Sequence, residues 1–569
     1  MCAGARLDEG FARRVVEELL HQRYRARASS PGVYLEAVRA HAERTLRDLR
    51  RRDLAVGTAF LLSLALAPVV TVVYWVGTAL LSGSHGAEPL SVLGRRRDPD
   101  SPHPDSNVRA VVLALLMSAG LLLIGTLGSA GLPVWLNSEP IAVFLLTLIL
   151  LVVFPWIMTW GQRDAARRAI REELTPESFQ AFRGDGRGRR ARPLDPAALA
   201  DNTNLILYRG FQPFVGAGDE VTSWSFAMRL RPEDQALGSG PETEREQSPV
   251  SFDTDELVRR LAADLDALRT ATASATERIP GLEVTEKVFV RGTELRQNAL
   301  LPDHVYWPDA AGRWPPEGPP ADRLSPEYVA LARGRIDGPV RHCLCAQVRS
   351  WGTDLVLSVY VQVAVSGATL YLQANALVLT PVREEYRVAD SIADPSAADT
   401  VSPGLADALL HSRGVLVSAL SHAFSELRTP ARRRRRLQDE RKAVEIDRRF
   451  DFGAGQSLRE AASSHAYRDF FQKTDVNRIT KQIDEQLFES VASFLSEHGL
   501  DLGDLRQQRN VILNQGIMMT GGSMSGSMAA GAGATAVAEG LRPQAPTGGA
   551  RAGGAPAGGA PGKAGGGAA

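Results

Sequence analysis

Cysteine is nearly absent from this chain: Cys2, Cys343 and Cys345 are the whole complement of 569 residues. Three thiols make no disulfide framework, and their scarcity fits a reducing compartment. Lysine is also scarce, five of the 65 basic residues, the rest being Arg. With so much Ala and Gly this is the composition of a high-GC coding sequence, so arginine richness alone points to no binding role. The formal net charge is zero, which removes any global bias toward nucleic acid or acidic partners. The first 50 residues lack an apolar run, so no cleavable signal peptide is expected and the first membrane segment must direct its own insertion.

Catalytic signatures are missing as well, although four stretches come close. Gly216 and Gly218 have phosphate-loop spacing, but a dinucleotide fingerprint needs a third Gly opening a helix, and Asp219, Glu220 and a strand follow instead. Asp451-Phe452-Gly453 repeats a kinase tripeptide without its catalytic loop or strand lysine. In His342-Cys343-Leu344-Cys345 the two thiols share one strand face while His342 points to the other. A structural zinc site needs four ligands, so these read as small buried cysteines. Met518, Met519, Met524 and Met528 have no His or Cys beside them to complete a copper site. No catalytic, cofactor-binding or metal residue is assigned.

What the chain does have is a greasy middle. Residues 54–81, 108–127 and 141–160 are apolar and, apart from Arg109 at the start of the second, free of Asp, Glu, Lys, Arg and His, and about 20 such residues cross a bilayer core. Pro68 is expected to kink the first segment. The turn-rich stretch Gly128 to Pro140 makes a helical hairpin of the other two, and Trp75, Trp135, Trp156 and Trp160 sit near segment ends as an interfacial belt. Without an intramembrane ionisable group these spans read as anchors rather than a conduit. The hairpin loop carries no basic residue and is placed outside. The first loop, with Arg95, Arg96 and Arg97, and the C-terminal part then fall in the cytoplasm. Three full crossings would put the N-terminus outside despite Arg44, Arg47, Arg50, Arg51 and Arg52, so the parity conflicts with the charge rule.

Around this anchor the pattern predicts soluble elements. Phe11, Val15 and Leu19 mark a helix face over residues 7–24, Ser30-Pro31 starts a second helix, and no Gly or Pro interrupts Val33 to Val56. Residues 163–182 form a juxtamembrane helix. Strands are expected at 204–208, 221–230 and 284–290, with GFQPFVGAG as a wide aromatic-capped turn between the first two. Leu257, Leu261, Leu265 and Leu268 repeat at helical spacing behind an Asp253 or Thr254 cap. A meander at 342–349, 354–365 and 369–379 has turns short enough to force antiparallel pairing. Alternation of Leu355, Leu357, Val359, Val361 and Val363 demands a cover on that face, for which the helix at 403–427 is the candidate. Arg432 to Arg436 opens a basic helical region. Ser457 with Glu460 reads as a capping box, and Asp475 as the cap of a helix carrying Val476, Ile479, Ile483, Leu487, Val491 and Phe494, ended by Gly499. Residues 511–520 form a β-prone patch able to add a strand to a partner, before a Gly/Ala/Pro tail that cannot bury enough apolar surface to fold.

The segment GFQPFVGAG with Trp224-Ser225-Phe226, the Asp451-Phe452-Gly453 entry and the Asn514-Gln515-Gly516 motif together resemble uncharacterised actinobacterial multi-pass membrane proteins. The resemblance implies a membrane-tethered α+β domain and no particular catalysis. The expected architecture is an α+β membrane protein with a three-segment transmembrane helical anchor, an antiparallel-sheet soluble domain with covering helices, a helical pair and a disordered C-terminal tail. Its regions are 1–53 (amphipathic helices), 54–160 (transmembrane), 161–201 (juxtamembrane helix and linker), 202–430 (α+β domain), 431–500 (basic helical region) and 501–569 (tail). The expected role is a membrane-anchored interaction or assembly protein. Its partners are the lipid bilayer and a protein or second copy met through the helical pair or the tail, with no nucleic acid. The rival is a tethered enzyme built from dispersed residues such as His342, Asp354, His411 and His422; a third reading is a transporter accessory subunit.

Overall fold

The computed structural model describes residues 1–68, 70–72, 74, 140–174, 203–232, 253–270, 278–296, 303–307, 314, 318–333, 335, 337–391, 415, 419 and 435–518. The expected span at 108–127, the linker at 175–201 and the tail beyond Met518 lie outside them.

The N-terminal arm is helical, as its spacing requires, but interrupted. Helices α1 (Cys2–Leu7) and α2 (Glu9–Val16) part at Asp8, whose carboxylate accepts from the Phe11 amide at 3.0 Å and caps α2; a π-helical turn, Glu17–His21, follows. Phe11, Val15 and Leu19 are buried together with Leu35, Val38, Tyr386 and Leu458. The helix expected from Ser30-Pro31 instead starts later, as α3 (Leu35–Leu66). Ser30 is unavailable as a cap because its hydroxyl bonds that of Ser457, at 3.0 Å, in a buried contact. Past its late start, α3 runs unbroken through Arg50, Arg51 and Arg52 into the apolar stretch. It ends at Ala67 (φ −144°, ψ 77°), since Pro68 disfavours the helical region for the residue before it. Helical geometry resumes at Pro68, so the expected kink is a break. Helix α4 follows as one run: Pro140–Leu148, a π-helical turn at Ile149–Val153, and Phe154–Glu173.

Six strands form one sheet: β1 (Leu205–Tyr208), β2 (Asp219–Arg229), β3 (Leu282–Arg291), β4 (Val340–Ser350), β5 (Leu355–Ser366) and β6 (Thr369–Leu379). Their order is β1-β3-β4-β5-β6-β2. The meander pairs antiparallel as its short turns dictate, whereas β1 runs parallel to β3, so the sheet is mixed rather than antiparallel. The two strands flanking GFQPFVGAG are no hairpin either. They occupy opposite edges, with β2 antiparallel to β6, and the loop crosses the sheet between them. Phe214 stacks on Tyr360 (centroids 4.7 Å apart) and meets Phe289 edge-on at 5.3 Å. At Gly218 (φ +90°) the chain passes so close to β6 that a Cβ would collide with the Val378 carbonyl.

Both faces of the sheet are therefore covered. On one, Leu355, Leu357, Val359, Val361 and Val363 pack beneath α5 (Thr254–Ala267) and, after α6 (Pro326–Arg333), beneath α7 (Phe470–Glu497) and α8 (Gly503–Met518). Leu257, Leu261 and Leu265 of α5 and the Val476-to-Phe494 stripe of α7 supply the buried surface. The helix at 403–427 is not shown to be that cover: most of it lies outside the described residues, and Ala419 packs with Val56, Phe60 and Leu151, away from the sheet. The start of α7 also differs. Asp469, not Asp475, is the cap, in a full box with Gln472, so α7 begins six residues earlier than its sequence cap suggests. Gly499 (φ +65°) closes it as expected. Helix α8 replaces the β-prone patch at 511–520: Leu500, Leu505 and Ile512 pack into the α7 core, and that tertiary contact outweighs the strand preference of Val511 and Ile512.

Candidate membrane-docking site

Helices α3 and α4 lie side by side in opposite directions and leave the body together. Near the body, Arg44 pairs with Glu173 at 2.5 Å; farther out, Arg52 donates to Gln162 at 2.9 Å; farther still, Val56 and Phe60 pack with Leu151. Along this axis the chemistry changes from ionic to apolar.

The proximal end is a charge cluster, with Arg6 and His41 buried and Arg44, Asp48 and Glu173 partly exposed, that ties α1 to both helices. Arg6, with 7% of its side chain exposed, sits 3.7 Å from both Asp48 and Glu173, and its Nε donates to His41 Nδ1 at 3.2 Å. Burial, reinforced by the positive charges of Arg6 and Arg44, pushes His41 down to about 3. The imidazole is therefore neutral and an acceptor, and its 3.7 Å approach to Glu173 is no ion pair. Glu173 is the acid that answers Arg6 and Arg44. Arg52 turns inward onto buried Asp53, at 2.7 and 2.9 Å.

The distal part is bare of charge. Leu54, Leu61, Leu62 and Leu66 of α3 and Leu145, Leu146, Ile149, Val153, Ile157 and Trp160 of α4 face outward, Leu61 and Leu62 more than half exposed. The opposite face of α3 (Val56, Gly57, Ala59, Phe60, Ser63) is buried instead. Hydroxyls in this zone are satisfied within their own helices: Ser63 donates to Phe60 O, Thr147 to Val143 O and Thr159 to Pro155 O, at 2.7–2.8 Å. No hydroxyl among them needs water, which is the requirement a hydrocarbon surrounding sets. Leu145–Glu173 is the one helix among the described residues long and apolar enough to cross a membrane, and only 22% of its most apolar window is buried.

Of the residues considered for chemistry, His342 and Asp354 stay apart. His342 is buried and bonds Glu286 Oε2 at 2.8 Å, while Arg333 clamps the same carboxylate at 2.6 and 2.7 Å and reaches Asp255 at 3.1 Å. Burial works to raise Glu286, but these hydrogen bonds prevail and hold it down to about 2. Asp354 lies beyond the far end of β4, roughly 26 Å away along the strand, and pairs with Arg387. His411 and His422 are outside the described residues. Cys343 and Cys345 are buried against Tyr360 and Phe289, with burial pushing their thiols up to about 12 and about 11. They are unreactive packing residues. No group of His, Cys, Asp and Glu that could hold a metal occurs among the described residues.

The Gly216-Ala217-Gly218 loop does bind an anion, but the anion is internal. The Glu460 carboxylate accepts from the Gly216 amide at 3.2 Å and from the Gly218 and Ser457 amides. The predicted capping box is therefore half made, since Ser457 gives no cap hydrogen bond with its side chain. Asp451-Phe452-Gly453 is likewise structural. Phe452 is buried, and Ala454 bridges Tyr208 as a parallel extension beyond β1.

The charge cluster is what sequence reasoning missed. Arg6, His41 and Glu173 are far apart in the chain, and the one signal in the sequence is a set of acids among the arginines that flank the apolar segments.

Searches among curated proteins and among solved structures found no match. The AbeC-like domain matches residues 223–525, which run from β2 through α8 and past it. More than half of the sequence falls within that match, and the chain belongs to the AbeC-like domain family.

Proposed function

We propose that this protein is a membrane-anchored interaction or assembly protein, its AbeC-like body held against the bilayer by α3 and α4. The reading rests on one observation: the outer parts of two antiparallel helices expose leucines and isoleucines to their surroundings, while their inner parts are locked to the body by Arg6, Arg44 and Glu173. Apolar bands of this length on paired helices suit hydrocarbon and not water.

A topology follows from the way the arm folds. Asp8 bonds Tyr386, Ser30 bonds Ser457 and the Ala26 amide bonds Phe452 O, so the arm and the sheet are one body. One body occupies one side of a membrane, so the chain between 54 and 160 crosses an even number of times. Among three apolar segments an even number supports two crossings. The first is the candidate to turn back: its uninterrupted helix past Asp53 ends at Leu66, a rise of about 20 Å against about 30 Å of hydrocarbon. A re-entrant first segment keeps Arg95, Arg96 and Arg97 with the other flanking arginines, on the cytoplasmic side by the positive-inside rule. This removes the conflict that three full crossings create.

The test is accessibility in sealed vesicles. Single cysteines at Arg27 in the arm and at Glu497 in the body are expected to react with an impermeant maleimide from the same side. Reaction from opposite sides would refute the topology, and recovery of the intact chain in the aqueous fraction without detergent would refute the anchor.

A further inference from the structure

A stretch from the C-terminal half of the chain reaches α3 and α4. Val415 and Ala419 are both helical, and a separation of four is that of neighbours on one helix face. Ala419 is buried in a cluster with Val56 and Phe60 of α3 and Leu151 of α4, and Val415 packs against that cluster. The contact lies inside the apolar zone: Val56 and Phe60 are about 3 and 9 Å past Leu54 along α3, and Leu151 is about 13 Å past Trp160 along α4. The sequence around it limits how far the chain goes in. Between Arg413 and Glu426 stand twelve residues without Asp, Glu, Lys or Arg. Twelve are too few to cross about 30 Å of hydrocarbon, and segments of about 10–14 suit an interfacial or re-entrant course. The chain also starts and finishes in the body, since Tyr386 is buried with Phe11, and Val444 with Phe450 and Val288. It therefore enters and leaves on one side.

We propose that the chain at Val415 and Ala419 is a second membrane contact, a re-entrant wedge about 5–10 Å deep in the leaflet facing the body, with that leaflet's acyl chains as its partner. The inference rests on the reading of α3 and α4 as lipid-embedded. Beyond the two residues that meet α3 and α4, Leu416, Val417, Leu420 and Phe424 are apolar as well. One face of contact with two helices does not use so much apolar surface, and the surplus suits lipid rather than water. Both residues fall within the AbeC-like match, residues 223–525. The family domain thus touches the bilayer itself, in addition to being carried by α3 and α4.

The experiment uses the full chain with Cys2→Ser in phosphatidylcholine vesicles; Cys343 and Cys345 are buried. One fluorophore is attached at Val415→Cys, Leu62→Cys or Glu497→Cys. Val415 is partly exposed, so a label there reports on what surrounds it. Quenching is measured with aqueous iodide and with phosphatidylcholine carrying a nitroxide near the headgroup end or near the middle of its acyl chain. The Val415 label should be quenched about twofold more by the shallow nitroxide than by the deep one, with little effect of iodide. The Leu62 label serves as the embedded reference and the Glu497 label as the aqueous one. Iodide quenching at Val415, or protection there from iodide and nitroxide alike, overturns the wedge, while nitroxide quenching at Leu62 leaves the anchor standing. Iodide quenching at Leu62 overturns the anchor itself. The unlabelled Val415→Cys thiol gives a second reading free of the fluorophore's bulk: it should react with an impermeant maleimide more slowly in sealed vesicles than Glu497→Cys. Equal rates would again overturn the wedge.

Discussion

Strand β5 and the outer halves of α3 and α4 are built from the same residues, Leu, Val and Ala, and meet opposite surroundings. In β5 every apolar side chain from Leu355 to Val363 is buried, one face under α5 and α7 and the other under the crossing loop. In α3 and α4 the leucines that do not touch the partner helix face out. The hydrophobic effect leaves large contiguous apolar surface exposed only where something other than water meets it. The difference separates a protein core from the apolar surface that the proposed function assigns to lipid. The charge cluster of Arg6, Arg44 and Glu173 marks the border between them.

Four substitutions sharpen this contrast. The largest effect is expected for Val359→Asp in β5, where an unpaired carboxylate buried beneath α7 should unfold the sheet domain at a cost above about 5 kcal/mol, read as lost protease resistance. Next comes Asp484→Asn. Asp484 sits on the buried face of α7 with the Trp224 indole donating at 3.1 Å, and burial raises its carboxyl to about 7. The folded state holds the proton more tightly than the unfolded chain, so its contribution is full below about pH 4. That contribution falls as pH rises to about 7 and is flat above. At pH 8 the Asn variant should be more stable by up to about 4 kcal/mol, with no loss between pH 4 and 7 in denaturant titrations. Third, Leu62→Arg should cost about 3 kcal/mol of membrane insertion and leave the sheet intact. A loss of sheet stability there would mean that Leu62 faces protein. The smallest effect belongs to Glu173→Gln, which leaves Arg6 buried with weaker partners and should loosen the stalk from the body by about 1 kcal/mol, visible as faster hydrogen exchange in α1.

Much of the body was legible in the sequence because its signals are local. Alternation along residues 355–363 and two short turns define the meander, and leucines three and four apart define α5 and the stripe of α7. Long-range pairings were not legible. Nothing in residues 204–230 announces that β1 and β2 sit on opposite edges, since that depends on β3 and β6 offering partners far along the chain. Val511 and Ile512 favour a strand by themselves and are helical here, with Ile512 packed against the core beneath α7. At the border, the arginines were visible, but that Glu173 serves Arg6 and Arg44 required the fold. His342 and Asp354 were reasonable candidates on residue type alone, and strand register separates them. The greasy segments were plain in the sequence, and so was the conflict between three crossings and the charge rule, while the packing of the arm against the sheet required the fold.

The central claim is that the exposed leucines of α3 face lipid, and labelling at Leu62→Cys, in a chain with Cys2→Ser, tests it most directly. Leu62 is 52% exposed to its surroundings, so in water its thiol would react readily with an impermeant maleimide. The account predicts no labelling in intact membranes from either side and rapid labelling once the chain is unfolded in detergent. Labelling in intact membranes at the rate of a free surface thiol would contradict it.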